Sequence, residues 1–233
     1  MLASKKHLFF DLDRTLWDFE TNSVETFKDI FQIFNLQQLG IDDFDKALET
    51  YRDINNHLWE EYRSGFISKD FLNVERFHQT LQFFGIDNRQ LAGEIAQRYI
   101  SISPTKKALF DGTHEILSYL KQNGYNLHII TNGFPEVQHI KLQQSNLKQY
   151  FSAVVISEEV GWKKPAAEIF YKALEMAEAT VDESVMIGDD PVVDIQGATD
   201  IGMEAIFVNH HQEPFCDFCK YQVSHLLHLM DLF

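Results

Sequence analysis

The chain has 233 residues, 45% of them hydrophobic, enough for one large domain or a medium one with a small insertion. Its 20 Lys and Arg against 35 Asp and Glu leave a formal charge of −15, which argues against a nucleic-acid polymer or an anionic membrane as partner. A small anionic ligand stays open, because a bound metal ion reverses the sign locally.

The N-terminal apolar run is broken at once by Asp11 and Asp13, so no signal peptide is expected there. No stretch has the length of a membrane span, and the expectation is a soluble cytoplasmic protein. His7-Leu8-Phe9-Phe10 reads as a strand buried on both faces. Asp11-Leu12-Asp13-Arg14-Thr15 follows it. Residues two apart on an extended chain project to one side, so Asp11 and Asp13 would stand together. Like charges that close call for a metal ion, a shared proton, or both. An ordinary turn or helix cap is the alternative.

From about Glu20 to Tyr99 the text is helical, with aromatic and aliphatic residues at helical spacing. Phe27, Ile30, Phe31 and Phe34 trace one face, and Leu48, Tyr51, Ile54, Leu58 and Tyr62 a second. Phe71, Val74, Phe77, Leu81 and Phe84 trace a third, ended by Gly85, and Leu91, Ile95 and Tyr99 a fourth. Such stripes predict the core of a helical bundle.

After Pro104, strands and helices alternate. Leu127–Ile130, Ala153–Ile156, Ser184–Ile187 and Ala205–Val208 read as strands, with helices around Glu136–Gln144 and from Pro165 to Met176. Alternation of this kind predicts a parallel sheet with right-handed crossovers, and ligands bind beyond the carboxyl ends of its strands. The fold class is α/β: a Rossmann-like core over 1–16 and 104–233, with an inserted α-helical bundle over 17–103. Crossings near Trp17–Phe19 and Ser101–Leu109 are candidate hinges. Cys216 and Cys219 form a C-x-x-C without a second ligand pair, which predicts two ordinary thiols, and His210 and His211 read as loop residues.

Four pieces then gather at strand ends: Asp11-x-Asp13-x-Thr15, Thr131-Asn132-Gly133, Lys164-Pro165 and Gly188-Asp189-x4-Asp194. Singly, the T-N-G and G-D-D-P pieces are ordinary turns and Lys163-Lys164 a solvated pair. In this order, around an inserted helical segment, they resemble the haloacid dehalogenase-like phosphohydrolase superfamily, in the subclass whose helical cap follows the first motif.

The resemblance implies roles. Asp11 is the nucleophile and Asp13 the general acid and then base, protonated when substrate binds. Mg²⁺ is the cofactor, held by Asp11, Asp189 and the Asp13 carbonyl. Thr131 and Asn132 donate to phosphoryl oxygens, and Lys164 offsets negative charge. Asp194 orients Lys164 or the metal's water shell, and Asp190 is a possible additional ligand.

The stretch through Phe19, with Ile54-Asn55-x-x-Leu58-Trp59-x-x-Tyr62 and Arg76-Phe77, is similar to a pyrimidine 5′-nucleotidase subgroup, although Arg14 stands where that subgroup often has Asp or His. Asn55 and Trp59, with Tyr62 and Arg63, suit a base or ribose; packing of Trp59 and Tyr62 in the bundle core is the alternative. The expected partner is a small-molecule phosphate ester, and the expected assembly a monomer or homodimer. Sugar-phosphate hydrolysis, a β-phosphoglucomutase-type mutase and a non-catalytic phosphate-binding module are the competing readings. Asp13 favours phosphoryl chemistry over dehalogenation, because a halide needs no proton to leave.

Overall fold

The computed structural model describes residues 2–210 and 216–233. The chain divides into two compact units, Met1–Phe19 with Lys107–Phe233, and Glu20–Lys106. Among the described residues, no helix is long and apolar enough to cross a membrane.

The first unit contains β1 (His7–Phe10), α5 (Thr113–Gln122), β2 (Asn126–Thr131), α6 (Pro135–Gln144), β3 (Phe151–Ile156) and the single turn α7 (Ser157–Val160). It continues through α8 (Ala167–Met176), β4 (Ser184–Gly188), α9 (Gly197–Asp200), β5 (Glu204–Val208) and β6 (Tyr221–Val223). The strands form one six-stranded sheet, β3-β2-β1-β4-β5-β6, in which every neighbouring pair is parallel. Alternation along the strands sends Leu8, Phe10, Ile129 and Ile187 into one buried cluster and Phe9, Ile130 and Met186 into the other. β1 lies between β2 and β4, so the chain winds away from it in both directions. The carboxyl end of β1 is therefore the topological switch point, where clefts open in sheets of this kind.

Four of these elements escape the sequence reading: the single turns α7 and α9, and also β6 and α5. β6 is a three-residue edge strand with Gln222 at its centre, and α5 buries only Ile116, Leu117 and Leu120 among its apolar residues. The helix expected from Pro165 begins at Ala167, because the backbone of Lys164 is held by the Asn132 side chain. The expectation of two ordinary thiols is corrected: Cys216 and Cys219 form a disulfide. A tight turn, closed by the Cys219 N–H donating to the Cys216 carbonyl, brings the sulfurs together beside the Phe9 cluster. His210 lies in a turn after β5, while His211 falls outside the described residues.

The second unit comprises most of α1 (Phe19–Ile33) with α2 (Phe44–Arg63), α3 (Lys69–Phe83) and α4 (Arg89–Ile102). Asp43, Ser68 and Asn88 cap the last three helices, each side chain accepting a backbone N–H three residues on. Phe27, Tyr51 and Phe77 stack at 5.1 and 5.2 Å between centroids, with Tyr99 tilted against them. Most residues of the aromatic stripes thus form a bundle core, although Phe71 stays exposed and Ile54, Leu58 and Tyr62 lie outside that cluster. Gly85, at φ 80°, follows α3 in the left-handed conformation that glycine adopts without strain.

The two crossings expected as hinges lie side by side. Trp17 pairs with Leu109, the Asp18 N–H donates to the Ala108 carbonyl at 3.1 Å, and the Phe110 N–H to that of Leu16 at 3.1 Å.

Candidate active site

Asp11 continues β1 past its last strand residue, its N–H donating to the Ile187 carbonyl on β4 at 2.9 Å. That bond turns its carboxyl group into the switch point. Asp11 Oδ1 accepts from Lys164 Nζ at 2.6 Å. The same ammonium donates to Asp194 Oδ1 at 2.7 Å and to the Ile130 carbonyl at 2.8 Å. All three hydrogens of the Lys164 ammonium are therefore satisfied, in a side chain that is 2% exposed.

Asp194 reaches this lysine from the wide-turned helical segment Pro191–Gln196. Its second oxygen accepts from the Asp190 N–H at 3.2 Å. Asp190 Oδ1 caps the same segment by accepting from the Val192 and Val193 N–H groups. Gly188 has no side chain for a spatial reason: a Cβ there would lie 2.3 Å from Asp194 Oδ2.

Asp189 follows β4. Its Oδ1 accepts from Thr15 Oγ1 at 3.0 Å. His210 Nε2 in turn donates to the Thr15 carbonyl at 3.0 Å, and its ring lies flat on Phe110 with centroids 3.7 Å apart.

Asp11, Asp189 and Asp194 each present a carboxylate oxygen, and these atoms lie within 4.8 Å of one another. Burial pushes the Asp11 carboxyl up to about 7, with Lys164 opposing the rise and Asp194 and Asp13 adding to it. Burial, then Asp11 and Asp194, push Asp189 well above the usual carboxylate range. Burial alone would lower the Lys164 ammonium, but Asp11 and Asp194 more than offset that and hold it above its ordinary value. Three carboxylates thus face a single ammonium in a low-dielectric setting. An oxygen-only donor set with surplus negative charge fits a hard divalent cation such as Mg²⁺.

Thr131 and Asn132 sit at the carboxyl end of β2, next to β1. Thr131 Oγ1 accepts from the Gly133 N–H at 3.1 Å, which leaves its hydroxyl hydrogen to donate elsewhere. Asn132 does something the sequence did not suggest: its Nδ2 donates to the Lys164 carbonyl and its Oδ1 accepts the Lys164 N–H, both at 2.9 Å. These two bonds engage one of the two Asn132 amide hydrogens.

Asp13 lies among donors. Its Oδ1 pairs with Lys141 Nζ at 2.5 Å and its Oδ2 accepts from Gln138 Nε2 at 2.7 Å. Both partners stand on α6, three residues apart and hence on one face. Sequence reading missed Lys141, Gln138 and His210. For the α6 pair the available signal was a lysine and a glutamine at helical spacing just after T-N-G.

Asn55 and Trp59 belong to α2 of the helical unit. Asn55 is buried, and its Oδ1 accepts from Arg76 Nη1 at 3.1 Å. Trp59 is half-buried, edge-to-face with Tyr62.

Residues 8–208 match the family described as haloacid dehalogenase-like hydrolase. The chain is 33% identical over 211 residues to pyrimidine 5′-nucleotidase PynA of Streptococcus pneumoniae, covering 89% of this chain and 86% of that protein. Pyrimidine 5′-nucleotidase YjjG of Escherichia coli is 32% identical over 211 residues, with coverage of 88% and 87%. Among solved structures, the magnesium-bound HAD-hydrolase YfnB of Bacillus subtilis matches with a TM-score of 0.88 at 25% identity, over 98% of both chains.

Proposed function

The chain belongs to the haloacid dehalogenase-like hydrolases, and on that premise we propose a Mg²⁺-dependent phosphomonoesterase that works through an aspartyl-phosphate and takes nucleoside 5′-monophosphates. The observation that carries this reading is the Lys164 ammonium bonded to Asp11 and Asp194 with Asp189 alongside.

Lys164 occupies Asp11 Oδ1, which leaves Oδ2 as the attacking oxygen. Its bond to phosphorus forms as the ester oxygen departs, and Asp13 gives that oxygen a proton. In the second step water attacks phosphorus, Asp13 takes its proton, and the Asp11 carboxylate leaves. Thr131 and the remaining N–H of Asn132 donate to phosphoryl oxygens, while Lys164 offsets the charge brought to the site. Asp11, Asp189 and the Asp13 carbonyl would hold Mg²⁺, which supplies positive charge against the phosphoryl oxygens.

Nucleotide preference draws its support from the Asn55, Trp59 and Arg76 pattern and from the names carried by PynA and YjjG. Asn55 keeps its amide hydrogens for a base or ribose acceptor, and Trp59 offers an indole face for stacking. The test is phosphate release in Mg²⁺ from a panel of pyrimidine and purine nucleoside monophosphates, sugar phosphates and phosphoglycolate. The expected result is fastest release from pyrimidine nucleotides, abolished by EDTA. Release from sugar phosphates alone would overturn the nucleotide assignment. Isomerised sugar phosphate without free phosphate would mark a mutase, and no turnover of any ester would overturn the enzymatic reading.

A further inference from the structure

Both oxygens of Asp13 are committed to a single helix. Lys141 pairs with Oδ1 from a side chain that is 4% exposed, its ammonium 4.0 Å from the centroid of the fully buried Trp17 indole. A cation held over an aromatic face and against a carboxylate has little freedom to leave either. Gln138 is equally enclosed, but it offers Oδ2 a neutral amide donor, without the ion-pair attraction that holds the Lys141 ammonium on Oδ1. Its own Oε1 is buried and has no hydrogen-bond partner.

Gln138 also accounts for the glycine of T-N-G. A Cβ on Gly133 would fall 1.5 Å from Gln138 Nε2 and 2.5 Å from its Cδ. No side chain fits there unless the Gln138 amide moves off Asp13.

We propose that Lys141 and Gln138 are positioning residues for proton transfer by Asp13, with Lys141 as the fixed pivot on Oδ1 and Gln138 as the releasable partner that yields Oδ2 to the reacting oxygen. The inference rests on the reading of Asp13 as the group that serves the leaving oxygen. In the first step the proton on Asp13 Oδ2 passes to the departing alkoxide as the ester O–P bond breaks. In the second, Oδ2 takes a proton from water as the Asp11–phosphorus bond breaks, so the carboxyl group returns to its starting state. An amide suits this alternation. Nε2 donates to the bare carboxylate, and Oε1, brought round by rotation of the amide, accepts from the protonated form. A second cation in place of Gln138 could do only the first.

The test compares kcat/KM for uridine 5′-monophosphate, whose alkoxide needs a proton, with that for p-nitrophenyl phosphate, whose phenolate leaves without one. Lys141→Gln is expected to lower the first at least about tenfold and the second by less than about threefold. Lys141→Arg, which keeps a cation on both Asp13 and Trp17, should recover most of the loss. Gln138→Met and Gly133→Ala should reproduce the selective loss in milder form. Altered Trp fluorescence in the metal-free Lys141→Gln protein, restored by arginine, would report the same contact without turnover.

Equal losses for both substrates, or none, would overturn the proposal. If Lys141→Gln does not fold, the Gln138→Met comparison decides by the same criterion. A wild-type protein inactive on both esters would instead overturn the phosphatase reading.

Discussion

Asn132 and Lys164 clasp each other through two reciprocal hydrogen bonds, side-chain amide to backbone, each 2.9 Å long. The asparagine thus imitates a neighbouring strand and fixes the backbone whose side chain runs down to Asp11. Asn132→Ala leaves a backbone donor and a backbone acceptor without partners and is expected to destabilise the protein by about 1–3 kcal/mol. Urea unfolding measures this, and a change in activity without a change in stability would argue that Asn132 serves substrate alone.

Lys164 holds together two buried carboxylates. Lys164→Met strands both and should cost about 3–5 kcal/mol in the metal-free protein. Adding Asp194→Asn removes one of the stranded charges, so the double variant should be more stable than Lys164→Met. An equal or lower unfolding midpoint for the double variant would contradict the electrostatic account.

Asp11→Asn should reduce phosphate release at least about a thousandfold while leaving stability nearly unchanged, since it removes both a buried charge and one partner of Lys164. Asp13→Ala should lose most activity on alkyl phosphates yet still bind Mg²⁺, as followed by calorimetry. Appreciable turnover by the first variant, or unchanged rates in the second, would refute the roles given to them.

The buried pair His7 and His128 sits on adjacent strands with Nδ1 and Nε2 3.1 Å apart. Burial, and then His7, lower the His128 pKa from 6.5 to about 4, and burial lowers His7 as well. A depressed histidine pKa means that the unfolded chain binds the proton first. Its contribution is therefore complete above about pH 6.5 and lost as the pH falls towards 4, up to about 3 kcal/mol. The raised carboxyls Asp11 and Asp189 act in the opposite sense, so the measurement is a difference. The gap in unfolding free energy between wild type and His128→Phe should shift in favour of the variant between pH 7 and 4.5. A constant gap would show that burial does not suppress protonation.

The Cys216–Cys219 bond closes a loop of a few residues, for which chain entropy predicts about 2 kcal/mol. Paired unfolding curves with and without a reductant should differ by no more than that, and Cys216→Ser with Cys219→Ser should show no further response. A larger effect would mean that the bond supports more than its own turn.

Much of the α/β unit could be read from local text, since β1 to β5 are mostly short apolar runs and three of the four motifs lie at strand ends, with Lys164 in the loop before α8. Asp11, Thr131, Lys164 and Asp189 were placed by motif order. The partners of Asp13 were not, because Lys141 and Gln138 follow it by 128 and 125 residues and resemble any polar face of a helix. Gly133 and Gly188 were visible as motif letters, but their reason lies in the side chains of Gln138 and Asp194 pressed against them. The disulfide was misjudged because C-x-x-C spacing says nothing of the turn that closes it. β6 carried too few residues to show a period.

The pairing of Asp18 with Ala108 makes the helical segment a detachable module. Chain leaving the α/β unit and chain returning to it are hydrogen-bonded neighbours, so a turn of a few residues could replace everything between them without rerouting a strand. Genetic exchange at that one seam could swap a bundle of any size. The sheet with its cluster of buried carboxylates and the helical bundle can then be inherited separately.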